Sequence, residues 1–235
     1  MQFNEINLEF VVLNEYLFPN TFMRKGGFSL QKMVMMNRIG VTFWNIKASF
    51  YYSIRSLPPF KKVLKQEISH LKMLMKQASL SPMKVLDVGM GVGSTLEIFP
   101  EGARIIGLDH AYDMIWKSRD KKKVIGVVGN AQYLPFQNHV VPFVSAVGFT
   151  EYLFNKETFL DEVKRIIRSD GHFLVTIAPP GFFNFLRHFF GHRIYPIRAE
   201  AWESLVAQRG FSCIGKTRTW LQQQHLFIRK EVPIS

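Results

Sequence analysis

The sequence predicts an α/β fold in which a mostly parallel seven-stranded sheet carries helices on both faces and an antiparallel hairpin at one edge. From Pro82 onward, apolar β-branched segments recur about 20 residues apart with helical segments between them, a spacing that indicates parallel strands joined by crossover helices. The last two strand segments are too close for a crossover helix and therefore predict a hairpin joined near Trp220. With 235 residues, 47% of them hydrophobic, the chain is long enough to bury a substantial core.

Each predicted strand is an apolar segment rich in valine, isoleucine or phenylalanine and bounded by turn residues. The fifth strand follows a turn at 169–171 and ends at Pro179 and Pro180, because proline has no backbone donor for a strand ladder. The predicted strands cover residues 83–88, 103–108, 124–128, 143–148, 172–178, 211–217 and 224–229.

The predicted helices have apolar residues at helical spacing. The helix at 60–79 follows two prolines and is amphipathic and basic, with Leu64, Ile68, Leu71 and Met75 on one face and Lys61, Lys65, Lys72 and Lys76 on a neighbouring face. Further helices are expected from about Ser94 and over residues 111–118, 156–167 and 198–208, the last of them closed by Gly210.

Positive charge is concentrated before the sheet. The net charge is +12, and residues 24–84 hold twelve Lys or Arg but a single acid, Glu67. We divide the chain into a basic, aromatic extension at 1–57, irregular over its first 35 or so residues, and a main domain at 58–235. Such a basic segment can approach nucleic acid, anionic lipid headgroups or an acidic substrate, or it can simply be a solvated helix face.

The lone cysteine, Cys213, excludes an intramolecular disulfide and indicates a reducing compartment. Acidic residues interrupt the amino-terminal apolar residues, so no signal peptide is predicted, and no apolar run reaches the length of about 20 residues that spans a bilayer. The sequence therefore predicts a cytoplasmic location, with peripheral membrane association as a further hypothesis.

The first predicted strand ends on Asp87 and is followed by three glycines spaced two apart, Gly89, Gly91 and Gly93. Glycines at this position allow a sharp turn after a strand and leave no Cβ between the backbone and a ligand, which favours a nucleotide-like cofactor. Ser94 stands where a dinucleotide-binding fingerprint needs its third glycine, so the loop argues against a dinucleotide.

The string Asp-x-Gly-x-Gly-x-Gly resembles the first motif of the class I S-adenosylmethionine-dependent methyltransferases, whose sheet is Rossmann-like. The resemblance implies S-adenosylmethionine as the cofactor, with Asp87 reaching its methionine ammonium and the glycine loop lying against its amino acid moiety. Asp109, at the end of the second strand, would accept hydrogen bonds from the ribose hydroxyls, and the adjacent His110 would also lie in the cofactor site. Met114 would flank the adenine. Alone, Asp109 would be equally well explained as a helix cap.

Two later segments extend the resemblance to about residue 229. Residues 129–136 resemble the family's Gly-Asp-Ala-x-x-Leu-Pro-Phe segment, in which Asn130 replaces the usual aspartate and, with Ala131, would contact the adenine. An asparagine carbonyl still accepts a hydrogen bond from the adenine amine, but a weaker one. Residues 147–153 resemble the fourth motif, where Gly148 and Phe149 would pack near the sulfonium although Pro142 replaces a common aspartate.

The acceptor would be bound by an insertion at about 180–197, in which phenylalanines recur at helical spacing beside basic residues. Our hypothesis is that this lid and the aromatic extension rest on an anionic membrane surface and admit a lipophilic acceptor, quinone-like or phospholipid-like. The alternative is that the phenylalanines form the lid's own core. No metal site is predicted, since His188 and His192 stand four apart without a supporting carboxylate motif.

Methyl transfer is an in-line displacement that depends chiefly on positioning, and a general base is needed only when the acceptor loses a proton. The candidate bases are Glu151, His110 and His188. The leading function is methylation of a small lipophilic acceptor. Nucleic-acid methylation is favoured by the charge but lacks an Asn-Pro-Pro-Tyr-like base-flipping motif. A non-catalytic binding protein is the third hypothesis, because of Asn130 and Pro142; the oligomeric state is not predicted.

Overall fold

The computed structural model describes residues 58–78, 84–118, 124–182, 184–185 and 194–230. The predicted extension at 1–57 lies outside the described residues. Two 3-10 helices, Leu96–Ile98 and Thr150–Tyr152, accompany eleven longer elements. In chain order these are α1 Pro58–Gln77, β1 Lys84–Val88, β2 Arg104–Asp109, α2 Tyr112–Ser118, β3 Val124–Val128, β4 Val141–Ala146, α3 Lys156–Ile166, β5 Ile167–Ile177, α4 Ala199–Ala207, β6 Phe211–Arg218 and β7 Gln223–Arg229.

The seven strands form one sheet in the order β3-β2-β1-β4-β5-β7-β6. The first five strands in this order are parallel to one another, and β7 runs antiparallel to both β5 and β6. The predicted mostly parallel sheet with an antiparallel edge hairpin is confirmed. Strand order reverses at β1, so the carboxyl ends of β1 and β4 flank a topological switch point, where open α/β sheets bind ligands.

Apolar cores cover both faces of the sheet. On one face, Phe159 of α3 and Trp202 of α4 are fully buried beside Phe173 of β5. On the other face, Leu71 and Leu74 of α1 pack in a second cluster. The predicted apolar face of α1 is confirmed, because its lysines are exposed while these leucines contribute about 1.5–3 kcal/mol each through burial.

Two local predictions were wrong. The helix expected from Ser94 is only the 3-10 helix Leu96–Ile98, because the preceding glycines adopt positive φ and Pro100 follows closely. The turn expected at 169–171 lies inside β5, whose pairing with β4 shifts from Val141–Ile167 to Phe143–His172. Asp170, at φ 63°, lies in the bulge that absorbs the extra residues without ending the strand.

Within the residues that the structure describes, no helix combines the length and the apolar character that crossing a membrane requires.

Candidate functional site

The glycine loop lies at the switch point and folds over the end of β2. The backbone N–H groups of Gly89 and Met90 donate to the carbonyl oxygen of Leu108 at 2.7 and 3.2 Å. Gly89, Gly91 and Gly93 have φ of 71°, 57° and 71°, a left-handed conformation in which a Cβ is strained. The spacing of the three glycines therefore has a backbone cause.

The glycines also differ in what surrounds them. A Cβ on Gly89 would lie 2.5 Å from ring atoms of Phe149, which itself packs edge-on against Phe159. A Cβ on Gly91 or Gly148 would meet no atom within 4 Å. Gly89 thus lets the loop press against Phe149, whereas Gly91 and Gly148 border open space at the carboxyl edge of the sheet.

This difference predicts unequal costs for two matched substitutions. Gly89→Ala should lower the free energy of unfolding by about 2–4 kcal/mol, because left-handed strain adds to a clash with Phe149. Gly91→Ala should lower it by only about 1–2 kcal/mol, since strain acts alone there. Urea denaturation of the two variants measures both values, and equal losses would contradict the contact between Gly89 and Phe149.

Asp87 is buried at the end of β1, where it pairs in register with Ser145 of β4. Its Oδ2 has no hydrogen-bond partner among the described residues. Burial raises the pKa of the Asp87 carboxyl to about 7, and the charge of Asp109 acts in the same direction, while the nearby Ser145 hydroxyl opposes the shift. A buried carboxyl oxygen without a donor is costly, so the site suits a ligand that brings a cationic donor.

Asp109 joins the glycine loop to α2. Its Oδ2 accepts a hydrogen bond from the Gly91 N–H and its Oδ1 one from the Ala111 N–H, both at 2.9 Å. His110 Nδ1 lies 3.5 Å from Oδ1. The capping role is therefore present, and each carboxylate oxygen retains acceptor capacity for a further donor such as a ribose hydroxyl.

On the predicted adenine side, the Oδ1 of exposed Asn130 accepts a hydrogen bond from the Gln132 N–H at 2.9 Å. An aspartate oxygen would make the same turn, which explains why asparagine can replace aspartate here. Ala131 is buried, and Met114 packs with Val92 and Ala111 beneath the loop. The contact of these residues with adenine stays a prediction.

Polar residues that the motifs did not reveal form hydrogen bonds with the segment predicted to lie near the sulfonium. The Gly148 N–H donates to Thr176 Oγ1 at 2.7 Å, and Thr150 Oγ1 donates to the Thr176 carbonyl at 2.5 Å. Thr176 and Ser145 are fully buried in otherwise apolar strands. A polar residue inside such a strand is the signal that could have identified them.

The structure describes two of the three candidate bases, Glu151 and His110. Glu151 is buried, and its carbonyl oxygen accepts from the Tyr195 N–H at 2.7 Å. His110 is half-exposed beside the Asp109 carboxylate, and His188 lies outside the described residues. A catalytic role for any of them stays a prediction.

Lys156 is a buried residue close to Glu151 that the sequence motifs did not indicate. Its Nζ donates to the carbonyl oxygens of Leu153 and Tyr195, both at 2.8 Å. Burial lowers the pKa of Lys156 to about 8, and the negative charge of Glu151 opposes that shift. Lys156 therefore ties the segment after Gly148 to the end of the predicted lid at Tyr195, and the Glu151 charge faces a cation.

Exposed aromatic side chains surround the same edge of the sheet. Phe182 is 68% exposed and Phe185 59%, both at the start of the predicted lid, and Trp220 is 42% exposed in the β6–β7 hairpin. Asn184 Nδ2 donates to the carbonyl oxygens of Pro179 and Leu221, at 2.7 and 3.2 Å, and so joins lid and hairpin. The lid's remaining candidate residues, among them His188 and His192, lie outside the described residues.

Comparison with known proteins agrees with this geometry. Residues 86–175 match the family model described as a methyltransferase domain. The chain is 36% identical over 110 residues to the fatty-acid O-methyltransferase of Mycolicibacterium smegmatis, covering 44% of this chain and 40% of that protein. It is 23% identical over 150 residues to the malonyl-[acyl-carrier protein] O-methyltransferase of Geobacter sulfurreducens, covering 60% and 56%. The chain thus spans about half the length of these curated relatives.

Among solved structures, the fold is similar to that of magnesium protoporphyrin IX methyltransferase from Synechocystis with bound SAH. The TM-score is 0.59 at 18% identity, and the match covers 70% of this chain and 82% of that one. At this identity the likeness shows the fold alone.

Proposed function

We propose that this chain, whose central domain is a class I S-adenosylmethionine-dependent methyltransferase domain, methylates a small lipophilic acceptor. The observation that carries the proposal is the buried, unpartnered Oδ2 of Asp87 beside a glycine loop that borders open space. The methionine ammonium of the cofactor is a cationic donor of the kind this oxygen lacks. The residues present therefore fit S-adenosylmethionine.

When bound, the cofactor supplies an electrophilic methyl group on a sulfonium. The chain's own contribution is to hold and orient it: Asp87 for the ammonium, Asp109 for the ribose, and the loop around Gly91 for the amino acid moiety. Phe149 presses against the loop at Gly89 and limits its movement. Such positioning is the main protein contribution to an in-line displacement.

A carboxylate is the acceptor group that best fits these surroundings. It carries no proton at neutral pH, so its methylation needs no general base. Glu151 faces Lys156 and His110 adjoins Asp109, and a carboxylate acceptor requires neither side chain as a base. The names of both curated relatives describe carboxyl-bearing acceptors, and the aromatic rim around the site suits an apolar chain. A lipophilic carboxylic acid is therefore our first choice, ahead of quinone-like phenols and phospholipids.

The experiment is incubation of the protein with S-adenosylmethionine carrying a deuterated methyl group, followed by mass spectrometry. A long-chain fatty acid should gain the labelled methyl, whereas its preformed methyl ester, a matched acceptor without a free carboxylate, should not. A phenolic quinone precursor and a phospholipid test the other lipophilic classes. Label on none of these acceptors, with cofactor binding intact, would contradict the proposal and favour the non-catalytic alternative.

Nucleic-acid methylation is the second candidate, favoured by the exposed lysines of α1. RNA and DNA are included in the same incubation for this reason. Label in nucleic acid and in no lipophilic acceptor would replace our proposal with this one.

A further inference from the structure

Three segments meet at the carboxyl edge of the parallel strands. This edge also holds the glycine loop, and the acceptor would enter the proposed site through it. The tip of the β6–β7 hairpin lies there because Gln223 pairs with Ile177 at the end of β5. In α1, Glu67 is buried against this hairpin: Thr219 Oγ1 donates to Glu67 Oε1 at 3.5 Å, and Gln224 Nε2 donates to its carbonyl at 3.2 Å. The third segment is the base of the lid, joined to the hairpin through Asn184.

The amino-terminal half of α1 extends toward this edge. At its other end, α1 lies against Gly215, which pairs with Leu226, farther along β7 from the edge. A helix rises about 1.5 Å per residue, so Lys61 lies roughly 9 Å beyond Glu67 in the direction of the edge. Lys61, Lys62 and Lys65 are all exposed there.

The charge on this half of α1 is of one sign. Glu67 is the only acid in the helix, and it is buried. The exposed lysines therefore face solvent at the same edge of the sheet as Trp220, Phe182 and Phe185, which are themselves exposed. Lysines around exposed tryptophan and phenylalanine form the composition that binds at a bilayer interface, with charge for the headgroups and rings for the acyl boundary.

We propose that this basic and aromatic rim, formed by Lys61, Lys62, Lys65, Phe182, Phe185 and Trp220, docks the protein on an anionic phospholipid surface. Docking would place the acceptor entrance against the membrane, and this consequence alone rests on the proposed function. Attraction between lysines and anionic headgroups acts within a Debye length of about 8 Å at physiological ionic strength, so docking should weaken as salt rises. Nucleic acid would be attracted by the same charge, but the exposed phenylalanine pair favours an acyl boundary.

The first test is sedimentation with phosphatidylglycerol-containing vesicles and with phosphatidylcholine vesicles, each at low and high salt. We expect binding to the anionic vesicles at low salt only. The variant carrying Lys61→Glu, Lys62→Glu and Lys65→Glu should bind at least about 100-fold more weakly, since each lysine near an anionic surface contributes about fivefold. Lys→Gln changes at the same positions give a milder variant with a smaller loss in the same direction.

The matched control carries Lys117→Glu, Lys164→Glu and Lys230→Glu. Lys117 and Lys164 stand in the last turns of α2 and α3, and Lys230 follows β7, so all three lie at the opposite edge of the sheet. Net charge changes equally in the two variants. We expect the control to bind vesicles within a few-fold of the wild-type chain, and an equal loss in both variants would overturn the proposal.

The aromatic part of the rim is tested by the variant carrying Phe182→Ser and Phe185→Ser, which should weaken vesicle binding about tenfold. Tryptophan fluorescence should shift to the blue when the protein binds vesicles, and Trp220→Phe should abolish this shift. Binding of RNA but not of vesicles would overturn the proposal. Cofactor affinity, measured by calorimetry, should be unchanged in every rim variant and shows that each is folded. Absence of vesicle binding with intact methyl transfer would overturn the rim alone and leave the proposed function standing.

Discussion

At pH 8, the Asp87→Asn variant is expected to be more stable than the wild-type chain without ligand, and yet to bind S-adenosylmethionine more weakly. Burial raises the pKa of Asp87 from 3.8 to about 7, so the folded state favours the protonated acid. The stability that this preference contributes is fully present below pH 4, and it is lost as the pH rises to about 7. Above that pH the ionised carboxylate costs as much as about 4 kcal/mol, which asparagine avoids.

Urea denaturation at pH 4, 6 and 8 measures this effect. The free energy of unfolding should fall with rising pH more steeply in the wild-type chain than in Asp87→Asn, whereas Asp113→Asn should follow the wild type. Parallel curves for Asp87→Asn and the wild type would contradict a raised pKa at this position. The amide cannot supply a negative charge, so calorimetry should show at least about tenfold weaker cofactor binding, from the loss of a charged hydrogen bond.

Asp109→Ala is expected to weaken cofactor binding at least about 100-fold, or roughly 2.7 kcal/mol. The carboxylate accepts hydrogen bonds from the backbone of Gly91 and Ala111, and hydrogen bonds to charged groups contribute about 1.5–3 kcal/mol each. Its removal releases the glycine loop and the start of α2 together and also removes the proposed ribose acceptor.

Asp113→Ala is the matched control, because Asp113 lies in the first turn of α2 and is only half-buried. Calorimetry should find its cofactor affinity within a few-fold of the wild type. Thermal denaturation separates binding from folding: Asp109→Ala should cost about 3 kcal/mol or more of stability, because the hydrogen bonds from the Gly91 and Ala111 N–H groups are both lost. Unchanged cofactor affinity in Asp109→Ala would refute the assignment of this residue.

The sequence was sufficient for features that depend on local pattern. Strand spacing predicted the parallel sheet, and the short link near Trp220 predicted the edge hairpin. The motif spacing placed Asp87 and Asp109 at the ends of neighbouring strands, where the structure finds them. Each of these depends on residues close together in the chain.

Contacts between distant segments were not predictable in this way. Gly148 meets Thr176 and Lys156 meets Tyr195 only because strand register and lid path bring them together, and no local pattern indicates which residues will pair. The helix expected from Ser94 failed for a different reason, since positive φ in the glycine loop overrode helical propensity. The lid residues 183 and 186–193, among them His188 and His192, lie outside the described part of the chain, so their predicted roles stay predictions.

The position of β7 within the sheet has a consequence for synthesis on the ribosome. β7 follows β6 in the chain and is the last of the described strands, yet it lies between β5 and β6 and supplies the hydrogen-bonding partner along one side of β5. Until residues 223–228 have emerged, that side of β5 is an unpaired apolar edge of the kind that recruits strands from other chains. The nascent protein therefore passes through an interval of high aggregation risk, which lasts until β7 inserts between β5 and β6.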